Sequence, residues 1–102
     1  MDDVVAQFRF LAVGADGDRA HVVLMIERPY RDLEVKVEEW VCPMSMHPLL
    51  GRRLVRGICS VQALGLALNA AQFELTHFVE DGGTLFFDDG SPWEDGSLSM
   101  GS

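Results

Sequence analysis

"GICSVQALGLALNAAQFELTHFVEDG", residues Gly57 to Gly82, decides the fold of this chain. Apolar residues recur at three- and four-residue spacing through Val61, Leu64, Leu68, Ala71, Leu75 and Phe78, with Ala67 on the flank of that row. Such a period lays one apolar stripe along a helix, and the stripe is buried against another layer. Ser60 suits the N-cap, and Gly57 upstream helps the chain turn into the helix. The expected helix runs to about Glu80 and stops at Asp81, Gly82 and Gly83, where glycine permits left-handed backbone. Between Ser60 and Val79, Glu74 is the single charged residue. Gln62, Gly65, Asn69, Gln72 and Thr76 make an uncharged polar stripe, and Leu66 and Phe73 lie beyond it, about half a turn from the core stripe. One sheet face cannot easily bury both apolar sets. Leu66 and Phe73, with the small residues Ala63 and Ala70 nearby, are therefore read as a second contact surface, for a partner protein or a second copy. The competing reading folds the C-terminal segment back over them.

Upstream, "QFRFLAV" (Gln7–Val13) and "RAHVVLMIE" (Arg19–Glu27) flank "GADGD", which suits a turn with positive φ at Gly14 or Gly17. The pattern predicts a β-hairpin. Phe8, Phe10 and Ala12 share one face, as do Val22, Leu24 and Ile26, and the apolar second face of the second strand places it in mid-sheet. "RPYRD" (Arg28–Asp32) reads as a polar turn and "LEVKVEEWVCPM" (Leu33–Met44) as a third strand. Its apolar set changes phase across Glu38–Glu39, so a bulge there, or a two-sided strand, is expected. Pro43 ends the ladder or lies at an edge. A short fourth strand, Arg52–Arg56, would turn its basic side chains to solvent. After the helix, "GTLFF" is a short strand. "DDGSPWEDGSLSMGS" is rich in glycine, serine and acids. The expected architecture is α+β: an antiparallel β-meander of three to four strands, one long α-helix packed on one face, then a short strand and an acidic tail. Residues 1–90 form the domain and residues 91–102 the tail.

A length of 102 residues, 48% hydrophobic and 24% charged, is that of one ordinary globular domain. The formal charge of −8 is unevenly spread. All eight basic residues precede Gly57, where nine acids oppose them, while residues 57–102 hold seven acids and no base. A nucleic acid is not the expected partner, because phosphate contacts need a basic surface. A basic protein is favoured, met by Glu80, Asp81, Asp88, Asp89 and the interleaved Trp93 together with Leu66 and Phe73, although aromatics such as Phe86, Phe87 and Trp93 more often pin a tail to its own domain. "MDDVVAQFRF" lacks a secretory h-region, and no apolar run approaches the ~18 residues of a membrane span. A cytoplasmic setting is expected, with Cys42 and Cys59 as thiols.

Two local signatures, Trp40-Val41-Cys42-Pro43 and Gly57-Ile58-Cys59-Ser60-Val61-Gln62-Ala63-Leu64-Gly65-Leu66-Ala67-Leu68, span roughly the middle third of the chain. Together they resemble a family of small bacterial domains of unknown function. The resemblance implies a curved antiparallel sheet with one long helix, and no particular activity. In that family the residue before the serine is usually an aspartate, where this chain has Cys59. An acid there would suit the helix dipole.

"CPMSMH" gathers Cys42, Met44, Met46 and His47, soft or borderline ligands that Cys59 or His77 could complete. The spacing matches no strong zinc pattern, and methionine and free cysteine are common core fillers. A Cys–His nucleophile pair drawn from Cys42, Cys59, His21, His47 and His77 is the enzymatic alternative. Asp16-Gly17-Asp18 is a turn, since the later ligands of a calcium loop are missing. The function expected is a non-enzymatic protein-binding module without metal or cofactor, one form of which is an immunity protein or antagonist. The alternatives are a self-associating scaffold homodimer and a small Cys/His metal binder or enzyme.

Overall fold

The computed structural model describes residues 3–94 and 96–98, which form an antiparallel sheet with one long helix across a face. Strands β1 (Val4–Val13) and β2 (Arg19–Glu27) pair around a tight turn in which Gly17 takes φ +90°. Glycine is needed there because a Cβ disfavours that conformation. Phe8 opposite Leu24 and Phe10 opposite Val22 put the expected apolar face on the core.

The third strand departs from expectation. Tyr30 and Arg31 form a two-residue strand, β3, inside the anticipated polar turn, and β4 begins only at Trp40 and runs to His47. Leu33, Val35 and Val37 are exposed between them. Local side-chain chemistry outcompetes the alternation here: the Asp32 carboxylate accepts the Glu34 N–H at 3.0 Å and starts a turn. The phase change therefore needs no bulge at Glu38–Glu39, since the two valines are outside the strand. β4 is central, with β5 on one side and β2 followed by β3 on the other. Pro43 is tolerated in mid-strand because it falls where β2 has ended and β3 has not begun. At that gap the Cys42 thiol donates to the Glu27 carbonyl at 3.3 Å.

The fourth strand is longer than expected: β5 spans Leu50–Gly57 and forms a sheet edge. Helix α1 (Ser60–Glu80) then carries the chain back across the sheet, so that β6 (Thr84–Phe87) pairs with β1 and β7 (Pro92–Trp93) pairs with β6. The helix ends as predicted, with Gly82 at φ +95°. Its buried line, however, is Ala63, Ala67, Ala71 and Leu75, while Val61 is 77% exposed. Small residues lie lowest because the helix comes very close to the sheet: a Cβ on Gly57 would meet the Ala63 nitrogen at 2.7 Å. Leu64, Leu68 and Phe78 are half-buried beside that line. Ala63 thus belongs to the core and not to the second surface.

The chain beyond residue 90 is not a solvated tail over its described part. Trp93 is 6% exposed and meets the rings of Phe8 and Phe10 edge-on at 5.2 and 5.3 Å. Its Nε1 donates to the Ser97 carbonyl at 3.2 Å. Gln72 holds the following residues from the helix, with its Oε1 accepting the Leu98 N–H at 2.6 Å and its Nε2 donating to the Gly96 carbonyl at 3.0 Å. Leu98 packs against the core.

Candidate functional site

The roll of α1 is fixed by three sets of contacts. Glu74 reaches Arg53 on β5 at 3.4 Å, Gln72 reaches the Gly96–Leu98 segment, and the alanines point down at the sheet. At 3.6 residues per turn, Leu66 and Phe73 lie past Glu74 on the β5 side, and the C-terminal segment covers the opposite flank. Leu66 is 41% and Phe73 61% exposed. Among the described residues nothing folds back over them. Glu80 continues the same line seven residues on, giving a stripe of about 21 Å from Leu66 to Glu80. The Phe73 ring leans on His77 with centroids 4.7 Å apart.

Next to His77 the surface dips into a hollow of ≈ 230 Å³ between the end of α1 and the β4–β5 turn, floored by Met46, Leu75 and Phe78. Leu49 and Leu50 form its outer wall, with Glu74 and Asp81 among its polar lining residues. An apolar stem ending in a positive charge fits this combination, because the stem meets leucines and the charge meets Asp81. Leu49 and Leu50 were not expected at this surface, and His77 was singled out only as a metal or catalytic candidate. The dipeptide Leu49-Leu50, two adjacent large apolar residues between the strands, was the available signal.

Of the arginines of β5, Arg53 engages Glu74 at the rim of this surface, and the other two are paired elsewhere. Arg52 pairs with Glu27 at 3.0 Å, and Arg56 bridges Asp32 at 3.0 Å and Glu39 at 2.8 Å. The Arg56 hydrogen bond, helped by the Glu34 N–H, holds the Asp32 carboxyl below its ordinary range. Glu80 and Asp81, at the end of the helix, show no ion pair to any described base. The expected acidic half is nevertheless divided. Asp88 and Asp89 sit in the β6–β7 turn, across the sheet from β5, and Asp89 is committed to that turn by accepting the Ser91 N–H at 2.9 Å and hydroxyl at 2.6 Å. Trp93 is a core residue and offers no surface for a partner.

The thiols are far apart in environment. Cys42 is buried, and burial, followed by the charge of Glu27, pushes its thiol above the ordinary value. Cys59 is exposed and occupies the N-cap, one residue before the expected Ser60, with its sulfur accepting the Gln62 N–H at 3.4 Å. Gln62 in turn accepts the Ile58 N–H at 2.7 Å, a variant of the capping box. Among the described residues no three of His, Cys, Asp and Glu converge on a metal position. Three outcomes follow from this placement. A disulfide reagent modifies the exposed Cys59 in the folded protein and reaches the buried Cys42 only on unfolding. Because the folded Cys42 holds its proton longer than the unfolded one, its contribution to stability is full below the ordinary thiol pKa and is lost as pH rises through the folded value. Cys59→Asp supplies a stronger acceptor to a first turn that lacks acids, and raises stability by about 0.5–1 kcal/mol in a urea titration.

No family model matches this chain, and no curated protein or solved structure shows significant similarity to it. No described helix is long and apolar enough to cross a membrane.

Proposed function

We propose that the protein is a non-enzymatic binding module that receives a basic protein partner on the Leu66–Phe73–Glu80 flank of α1 and in the adjoining Leu49/Asp81 hollow. The observation that carries this reading is that Leu66 and Phe73 stay exposed while the chain's own C-terminal segment is clamped to the other flank. Aromatic residues are enriched at interfaces, and a hollow beside one offers a pocket for an anchor residue of the partner. Unpaired Glu80 and Asp81, in a chain of net charge −8, favour a positive partner and oppose self-association. Masking of a basic toxin or nucleic-acid-handling protein in the cytoplasm is one form this activity would take.

Affinity capture from a lysate of the encoding organism tests the reading. A basic protein is expected on the wild type, is released as salt rises, and is weakened about 30-fold or more by each of Leu66→Asp and Phe73→Asp. Retention unchanged in the double variant, or insensitive to salt, contradicts it. The free edge of β5 supports a second reading, a homodimer that continues the sheet, because its outer N–H and C=O groups are a template for another strand.

A further inference from the structure

A second concavity lies on the other side of the helix and has a different chemistry. Because α1 sits mainly over β4 and β5, the first half of β1 and the end of β2 are left beside a groove of ≈ 470 Å³. Phe8, Leu24 and Ile26 floor it, Leu68 and Leu98 wall it, and Asn69 and Gln72 stand among its polar lining. The volume is within the range of about 300–1,000 Å³ typical of small-molecule sites. No ionisable side chain lines it, in a chain that is 24% charged.

We propose that this groove binds a neutral elongated amphiphile, an alkyl chain ending in a hydroxyl or carboxamide. A carboxylate entering here would lose hydration without meeting a cation, and an ammonium would find no carboxylate. Both exclusions follow from the same uncharged lining. The polar side chains that line it, Gln7, Asn69, Gln72 and Ser97, are uncharged and each offers a donor and an acceptor, which match a neutral head that does both. Gln72 is occupied in holding Gly96 and Leu98, so Asn69 on the helix, with Gln7 on β1, receives the ligand's head.

The test is titration of the intact chain with 1-alkanols from hexanol to decanol, followed by amide shifts at Phe8, Leu68 and Leu98, with alkanoates and alkylammonium ions of equal length in parallel. Binding is expected to tighten about fourfold per methylene until the groove is full. The charged series should bind at least about tenfold more weakly, since burying an unpaired charge is costly. Ala6→Trp, at an exposed lining position, should fill the groove and abolish the shifts, and Asn69→Leu should weaken alkanol binding about fivefold. Absence of a chain-length dependence, equal binding of the carboxylates or ammonium ions, or full binding by Asn69→Leu would overturn the proposal. An extended apolar peptide that shifts the same amides when no alkanol does would also overturn it and assign the groove to a protein segment.

Discussion

Replacing Trp93 by alanine is expected to lower the unfolding free energy by about 3–5 kcal/mol, a large share of the roughly 5–15 kcal/mol that holds a domain together. The indole is enclosed by Phe8, Phe10 and Phe87, with ring centroids at 5.2, 5.3 and 5.5 Å. Its removal deletes these contacts and leaves a cavity beneath β7. It also releases the Ser97 carbonyl from its donor, loosening the segment that Gln72 holds against the helix. Urea denaturation with a far-UV signal reads the change. A solvated tail would give a change below about 0.5 kcal/mol, and that result would remove residues 92–98 from the folded domain.

The second large effect is a contrast between two neighbours on α1. Leu75 is fully buried under the helix, and a Cβ on Gly96 would stand 3.5 Å from its own Cβ, so the space around it is closed. Leu75→Ala should cost about 2–5 kcal/mol. Phe73, two residues earlier and larger, should change stability by no more than about 0.5 kcal/mol when made alanine, because most of its ring is already in water. The pair separates fold from function on one helix. A Phe73→Ala loss comparable to that of Leu75→Ala would mean that this ring is held by the fold and is not free to meet a partner.

Much of the scaffold could be read from periodicity. The hairpin, the helix with its glycine stop, and the strand after it all appear where the residue spacing puts them, because each couples a strong pattern to a turn residue. The errors have local physical causes. Leu33, Val35 and Val37 alternate with charges as a strand would, yet no layer lies there to bury them, and the Asp32 turn with its Arg56 partner fixes another conformation. The expected core stripe of the helix differs from the buried one at Val61, which is exposed, and at Ala63, which the close approach at Gly57 brings into the core. Composition also misled at the C-terminus, since glycine, serine and acids surround a tryptophan that belongs to the core. Of the candidate surface, Leu66, Phe73 and Glu80 were legible as residues seven apart on one helix. The hollow beside them was not, because it needs the β4–β5 turn to be folded against the end of α1.

On the proposed function, the Leu66–Phe73 flank is kept open for a different protein. Light scattering of the purified chain at tens of micromolar tests it without knowledge of that partner. The account predicts a monomer of 11.3 kDa, since the net charge of −8 and the unpaired Glu80 and Asp81 oppose self-association. A mass twice that value, returning to the monomer in Leu66→Asp/Phe73→Asp, would contradict it and make this flank the interface of a homodimer.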